Sequence, residues 1–197
     1  DIAVITNIGV SHIENLGSRE GILKAKLEVT CCFDENSVLI INADNDMLTL
    51  ENVKGSYRVI TVGTGENCDY RINDVCDFGD KGIEYTLCHE GKDYRIKLPV
   101  PGAHNAINAS LAIAAAGLMG ISPETAIKGF EQAELTEKRL NIKKQGRIKV
   151  IDDTYNACPE SMKSALNTLM STDVEDGGRR VAVLGDMFEL GNESPAA

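Results

Sequence analysis

The chain has 197 residues, enough for one complete hydrophobic core or for one domain and part of a second. Hydrophobic residues make up 43% and charged residues 25%, the proportions of a globular protein rather than of a disordered or fibrous one. The net charge of −10 argues against a nucleic-acid-binding surface, and no apolar run reaches the length of about 18 residues expected of a membrane span.

The first third of the chain has the pattern of a parallel α/β sheet. Apolar runs rich in Val and Ile predict strands buried on both faces, at Ala3 to Thr6, Ser37 to Asn42 and Arg58 to Val62. Between the first two, Arg19 to Thr30 predicts a helix that Ser18 can cap. Strand, helix and strand together form one crossover unit.

The pattern then changes to alternating polar and apolar residues. From Tyr70 to Leu98 this alternation, broken by glycine turns, predicts an antiparallel meander attached to the parallel sheet. Two helices are predicted next, an Ala-rich and largely buried one over Asn105 to Met119 and a second over Pro123 to Gln132.

A second α/β unit is predicted towards the end of the chain. Ile148 to Ile151 predicts a strand, Pro159 a helix start, and Arg180 to Leu184 the next strand. The fold class is therefore α/β, a mostly parallel sheet with flanking helices and a small antiparallel appendage, followed by an incomplete Rossmann-like unit. We predict a central domain over residues 1–146 and the start of another over residues 147–197.

The cysteines do not have the spacing of a zinc site. There is no C-x-x-C pair and no ligand-like spacing with the three histidines, so reduced thiols in a cytoplasmic protein are expected. The six are Cys31, Cys32, Cys68, Cys76, Cys88 and Cys158.

The first candidate site follows the first strand. His12 ends a loop at the carboxyl end of that strand, where open α/β sheets bind ligands, although a histidine bonded to backbone would also fit. At about 100° per residue, Lys26 shares a helix face with Ile22, whereas Lys24 and Glu28 face solvent. An amine placed there must pair, lose its charge or reach out to water. A neutral lysine can also react with carbon dioxide, giving a carbamate whose oxygens suit Mg²⁺.

The second candidate site is Gly102-Ala-His-Asn-Ala-Ile-Asn108, at the entry to the Ala-rich helix. Asn105 and Asn108 are three residues apart and share a helix face, and an amide side chain complements the edge of an adenine base. Capping of the helix by Asn105 is the alternative.

The third candidate site lies around the predicted domain boundary. Arg139, in the basic stretch from Lys138 to Lys149, has the planar fork of donors that holds phosphate oxygens, although a solvated surface arginine is equally compatible. One of the acids Asp152 and Asp153, which follow a strand end, can accept from ribose hydroxyls. Asp152 is the better candidate for a turn residue.

Together these strings resemble the Mur ligase family. The similarity rests on Ile5-Thr-Asn-Ile-Gly-Val-Ser-His12, on Gly17-Ser-Arg-Glu-Gly-Ile-Leu-Lys-Ala-Lys26 and on the G-x-H-N-x-x-N pattern from Gly102. The resemblance implies that His12 binds Mg²⁺ and that Lys26 is carbamylated, the two forming the catalytic metal site.

The same resemblance assigns the nucleotide contacts. It implies that Asn105 and Asn108 bind the adenine side of ATP, that Arg139 contacts phosphate, and that Asp153 binds ribose. Tyr155 and Asn156 are implied to line the same cleft. Lys138 departs from the family pattern, which usually has glycine there, so the path of this loop is not given by the resemblance.

Two further strings, Asp152-Asp-Thr-Tyr-Asn-Ala157 and Leu184-Gly-Asp-Met-Phe-Glu-Leu-Gly191, are similar to one branch of the family. That branch adds D-alanyl-D-alanine to UDP-N-acetylmuramoyl-tripeptide, through an ATP-derived acyl phosphate, in peptidoglycan precursor synthesis. The alternatives are a sister amide ligase, such as the tripeptide-forming Mur ligase, folylpolyglutamate synthase or cyanophycin synthetase, and a non-catalytic nucleotide-binding module.

The phosphate-binding loop G-x-x-x-x-G-K-[ST] does not occur in these 197 residues. By the family pattern we expect that loop and a uridine-nucleotide domain upstream of Asp1, and most of the C-terminal domain beyond Ala197. We therefore expect the isolated chain to have no ligase activity.

Overall fold

The computed structural model describes residues 1–11, 13–132, 138–188 and 190. Six strands form one sheet in sequence order, β1 (Ile2–Ile5), β2 (Val38–Asn42), β3 (Arg58–Gly63), β4 (Tyr70–Asp77), β5 (Ile83–His89) and β6 (Lys92–Leu98). A separate hairpin pairs β7 (Asn141–Gln145) with β8 (Ile148–Asp152). The helices are α1 (Ile13–Leu16), α2 (Arg19–Leu27), α3 (Asn105–Leu118), α4 (Pro123–Gly129) and α5 (Pro159–Ser171).

The first three strands are parallel, as predicted, and β2 is buried on both faces. The prediction is wrong for β1, where Ile2 and Val4 are 42% and 39% exposed and only one face is buried. Alternate residues of β2 enter different cores: Ile40 joins the cluster that includes β5 and α3, and Leu39 joins the cluster under α2. The predicted cap of α2 is also confirmed, since the Ser18 hydroxyl accepts a hydrogen bond from the Gly21 N–H at 3.2 Å. These elements carry the loop that follows β1 to one edge of the sheet.

The predicted meander is confirmed and continues the same sheet. β4 pairs in parallel with β3 over two residue pairs, and β4, β5 and β6 then pair antiparallel. Helix α3 packs across strands β2 to β5, and its buried Ser110 hydroxyl donates to the Tyr85 phenol oxygen at 3.1 Å. The fold class predicted from the sequence is therefore confirmed.

Two predicted helices are shorter than expected, and one predicted strand does not form. Helices α2 and α4 end at Leu27 and Gly129, and each continues as a short 3₁₀ turn, Glu28–Thr30 and Phe130–Gln132. The strand predicted over Arg180 to Leu184 is wrong, since this segment forms no ladder. A strand requires a neighbour for its backbone hydrogen bonds, and β8 pairs only with β7 among the described residues.

Helix α5 and the hairpin lie against the β4–β5 turn. Lys81 Nζ donates to Asp173 at 2.6 Å, and Lys149 is paired with Asp80. Gly79 approaches so closely that a Cβ atom there would lie 2.5 Å from the Thr172 Cα. The charge of Lys149 is thus neutralised by Asp80 in the β4–β5 turn, so this lysine of the basic stretch is not available to bind an anion.

Within the described ranges, no helix is both long and apolar enough to cross a membrane.

Candidate functional site

The loop after β1 is held by hydrogen bonds from distant residues. Asn45 Nδ2 donates to Asn7 Oδ1 at 2.6 Å and approaches the Ile8 carbonyl oxygen at 3.3 Å. Arg19, at the start of α2, donates to Asp46 at 2.7 Å and to the Ile8 carbonyl oxygen at 2.9 Å. Sequence reasoning missed these contacts, because partners 11 to 38 positions apart carry no local pattern.

Lys26 reaches this loop from α2. Its Nζ donates to the Asn7 carbonyl oxygen at 2.7 Å, and desolvation lowers the pKa of the Lys26 ammonium. Ile22, one turn earlier, is buried, whereas Lys24 is exposed. Both lysines are exposed, and Lys26 differs from Lys24 in that its amine contacts the Asn7 carbonyl oxygen. Lys26 itself is exposed, its stem running beside Ile22 and its amine reaching a backbone carbonyl.

A cleft of about 330 Å³ lies beside Lys26. It is closed on one side by the first turn of α5, so that Glu160 approaches the loop that follows β1. A Cβ atom at Gly9 would lie 3.7 Å from the Glu160 carboxylate. The lining residues are Asn7, Gly9, Ser11, Leu16, Ile22, Ala25, Lys26 and Glu160.

The predicted metal ligand His12 lies outside the described residues, and Lys26 is described without a partner ligand. Over the described ranges, no three or more His, Cys, Asp or Glu side chains are grouped in a metal-binding arrangement. The polar side chains that line the cleft with Lys26 are those of Asn7, Ser11 and Glu160.

The two asparagines at the entry to α3 are linked. Asn105 is only 9% exposed, its Nδ2 donates to the Pro101 carbonyl oxygen at 2.7 Å, and its Oδ1 accepts from Asn108 Nδ2 at 3.1 Å. His104, not Asn105, occupies the N-cap position, so the capping alternative is wrong. Asn108 is exposed, and its own Oδ1 accepts no hydrogen bond from the residues that the structure describes, whereas its Nδ2 is held by Asn105.

His104 connects this motif to α5. Its Nδ1 lies 2.7 Å from the Ser164 hydroxyl. Desolvation lowers the pKa of the His104 imidazole, although the nearby Asp153 and Asp77 carboxylates oppose that shift. The side chain is therefore held as a neutral hydrogen-bonding group near pH 7.

The segments on either side of the β7–β8 hairpin meet around Arg139. The Arg139 guanidinium lies 4.2 Å above the Tyr155 ring, a cation–π contact at a ring that is 63% exposed. Asp153 Oδ1 accepts from the Leu140 N–H at 3.1 Å, and the Tyr155 N–H donates to the Lys138 carbonyl oxygen at 3.1 Å. Arg139, Asp153 and Tyr155 are thus brought together, as expected of one site.

The neighbouring residues have local roles. Asn156 Oδ1 accepts from the next backbone N–H, of Ala157, at 2.9 Å, so its side chain is turned towards its own backbone. Asp152 Oδ1 accepts from the Thr154 hydroxyl at 2.8 Å and from its N–H at 3.3 Å, which confirms the turn interpretation of Asp152. Lys138 has a φ of +61°, the left-handed conformation that glycine adopts without strain.

The cluster around Arg139 lies next to the loop before α3. A Cβ atom on Gly102 would meet the His104 ring at 2.6 Å and Leu140 Cδ1 at 3.2 Å. Gly102 therefore allows the loop before α3 to approach the Arg139 segment closely, at a φ of +92°. Lys26 lies apart from these clusters. Helix α5 contacts both places, since its Glu160 lines the cleft with Lys26 and its Ser164 bonds His104.

Residues 1–116 match the family described as Mur ligase middle domain, and residues 138–197 match Mur ligase, glutamate ligase domain. The chain belongs to the Mur ligase family. Its relatives include the UDP-N-acetylmuramoyl-tripeptide--D-alanyl-D-alanine ligases of Bacillus subtilis, 42% identical over 98% of this chain, and of Escherichia coli, 34% identical over 100%. The chain spans 40% and 43% of those two Mur ligases.

Solved Mur ligase structures share the fold. A crystal structure of MurF from Acinetobacter baumannii has a TM-score of 0.87 and 33% identity, covering 98% of this chain and 41% of that chain. MurF ligase from Thermotoga maritima in complex with ADP has a TM-score of 0.85, covering 99% and 44%. At 23% identity the latter similarity concerns the fold alone.

Proposed function

We propose that this chain is part of an ATP-dependent ligase that adds D-alanyl-D-alanine to UDP-N-acetylmuramoyl-tripeptide in peptidoglycan precursor synthesis. The observation that carries the proposal is the cluster of Arg139, Asp153 and Tyr155 beside the linked pair Asn105 and Asn108. Family membership and relatives of that name support the choice of substrates.

The nucleotide site follows from the hydrogen-bonding capacity of these residues. We assign the adenine edge to Asn108, held in place by the buried Asn105, and phosphate oxygens to the guanidinium of Arg139. Asp153 is assigned to the ribose, since its carboxylate bonds the Leu140 N–H through one oxygen only. Tyr155 supports Arg139 through its ring, and Asn156 lines the outer part of the same site.

The acyl-phosphate side is assigned to Lys26 and His12, as holders of Mg²⁺. A carbamate on Lys26 would present carboxylate-like oxygens, and the oxygens of Asn7 and Glu160 line the same cleft, which suits a hard cation. The lowered pKa of Lys26 favours the neutral amine that reacts with carbon dioxide. When bound, Mg²⁺ would stabilise the charge on the transferred phosphoryl group.

The reaction proceeds in two displacements. An oxygen of the tripeptide carboxylate attacks the γ-phosphorus of ATP, and the bond to ADP breaks, giving an acyl phosphate. The amine of D-alanyl-D-alanine then attacks the acyl carbon, phosphate leaves, and the nitrogen loses a proton. Arg139 contributes by holding phosphate oxygens in line, an effect of positioning and charge rather than of covalent chemistry.

The domain division and the compartment belong to the same proposal. We assign residues 1–146 to the central domain and residues 147–197 to the start of the C-terminal domain, with the boundary at the turn between β7 and β8. The six free cysteines support a cytoplasmic protein.

An amine-acceptor screen on the full-length parent tests the reaction. D-alanyl-D-alanine should be joined to the tripeptide substrate with ATP consumed, whereas joining of a different amine would indicate a sister ligase, and nucleotide binding without turnover a binding module. The isolated chain has no phosphate-binding loop motif and should consume no ATP, and turnover by these 197 residues would refute that assignment.

The carbamate is tested by a matched pair of variants in the parent. Lys26→Ala should abolish ligation and recover part of it with added short carboxylates, whereas Lys24→Ala, on the solvent side of the same helix, should behave as the wild type. Unchanged activity in Lys26→Ala would remove this lysine from the site.

A further inference from the structure

A pair of adjacent thiols lies on the surface after α2. Cys31 and Cys32 are both exposed, and their Sγ atoms are 3.5 Å apart. The backbone here is fixed by the preceding 3₁₀ turn, since the Cys31 N–H donates to the Glu28 carbonyl oxygen at 3.1 Å. All six cysteines lie in the described part of the chain, and no other two sulfurs there are in hydrogen-bonding contact.

The spacing of this pair disfavours a direct disulfide. Cα atoms of neighbouring residues are about 3.8 Å apart across a trans peptide, whereas protein disulfides usually join Cα atoms about 4.4 to 6.8 Å apart. A bond between Cys31 and Cys32 would therefore distort the backbone. An atom placed between the two sulfurs requires no such approach, because each sulfur bonds to the inserted atom and not to its neighbour.

We propose that Cys31 and Cys32 form a two-sulfur binding site for thiophilic trivalent arsenicals, compounds in which one soft centre accepts two thiol sulfurs. With an organic arsenoxide, two As–S bonds form and the bonds from arsenic to oxygen break. The two thiol protons leave with the oxygen as one water molecule, and neither arsenic nor sulfur changes its oxidation state. No other reactant is required.

The hydrogen bond to Cys31 raises the pKa of Cys32, which favours the thiol form of that side chain. The condensation with an arsenoxide starts from two thiols and releases their protons in water.

The chain offers a matched control in Cys76. It is exposed like Cys31 and Cys32 but has no second sulfur in contact among the described residues, so it can form only one bond to arsenic. Two bonds to one centre are far stronger than one, since the second forms within the same molecule.

The experiment is titration of the 197-residue chain with phenylarsine oxide, followed by intact mass and by the apparent dissociation constant. The wild type and Cys76→Ser should each bind one equivalent. Cys31→Ser and Cys32→Ser should each bind roughly 100-fold more weakly or worse. Excess of a dithiol should release the bound arsenical, whereas the same concentration of thiol groups from a monothiol should not.

Retained tight binding in either Cys31→Ser or Cys32→Ser would overturn the proposal, as would its loss in Cys76→Ser. Both target thiols are exposed, so the serine variants should unfold at the wild-type temperature, and that measurement separates loss of the site from loss of the fold. Neither result depends on ligase activity, so the inference stands or falls independently of the proposed function.

Discussion

Alanine variants of Asn105 and Asn108 test whether the two residues have different roles. We propose that Asn105 positions Asn108 and that Asn108 contacts the nucleotide. Asn105→Ala removes two hydrogen bonds and leaves the buried Pro101 carbonyl oxygen without its donor. With about 0.5–1.5 kcal/mol for each bond and about 1–3 kcal/mol for a buried unpaired group, the free energy of unfolding should fall by about 2–6 kcal/mol. Asn108→Ala removes one partly exposed hydrogen bond and should cost about 0.5–1 kcal/mol.

Urea denaturation of the 197-residue chain measures both stability changes, and ATP binding to the full-length parent measures the ligand contact. Asn108→Ala should weaken ATP binding at nearly wild-type stability. Asn105→Ala should weaken both, and at a temperature where the variant is folded it should bind ATP less tightly because Asn108 has lost its support. Equal stability losses in the two variants, or wild-type ATP binding by Asn108→Ala, would refute the division of roles.

Three further predictions concern the fold around the site. Lys138→Gly should raise the free energy of unfolding by up to about 1 kcal/mol by relieving φ +61°, whereas Gly146→Ala at φ +60° should lower it by a similar amount, both read from thermal unfolding. Burial raises the pKa of Tyr85 to about 12, so its hydroxyl stays protonated, and Tyr85→Phe should cost about 1–2 kcal/mol, part of which Ser110→Ala restores in a double-mutant cycle. Because the pKa of His104 is lowered by folding, the unfolded chain binds a proton at this imidazole more readily than the folded chain does. The free energy of unfolding should therefore be unaffected by this group above about pH 6.5 and should decrease as the pH falls towards the folded pKa. His104→Gln should flatten that part of the plot of unfolding free energy against pH.

The fold was largely predictable because its signals are local. The apolar runs of β1 to β3 and the alternating pattern of β4 to β6 each carry their own period, and Ser18 and Pro159 mark helix starts by their backbone chemistry. The segment from Arg180 to Leu184 failed for the opposite reason. Its apolar residues favour a strand, but a strand also needs a partner, and Val183 is 93% exposed.

The site was predictable to a lesser extent. Helical geometry distinguished Lys26 from Lys24, and motif spacing paired Asn105 with Asn108. Sequence could not assign different roles to the two asparagines, because the distinction depends on which one the Pro101 loop buries.

The sequence predicted helix α5 only as part of a second α/β unit. In the structure one face of α5 is polar and faces the six-stranded sheet unit. Four residues spaced four apart share that face: Glu160, Ser164, Thr168 and Thr172. Thr168 and Thr172 are buried, the latter against Gly79. The Thr172 hydroxyl donates to the Thr168 carbonyl oxygen of the same helix, and the buried Thr168 hydroxyl has no hydrogen-bond partner among the described residues.

This face reaches both halves of the candidate site. At its first turn Glu160 lines the cleft with Lys26, and one turn later Ser164 bonds the His104 ring of the nucleotide motif. Because a helix moves as a rigid element, any displacement of α5 from the sheet would open the cleft beside Lys26 and break the contact to His104 in the same movement. The cleft beside Lys26 and the loop before α3 therefore both contact α5, although they lie on separate loops of the sheet.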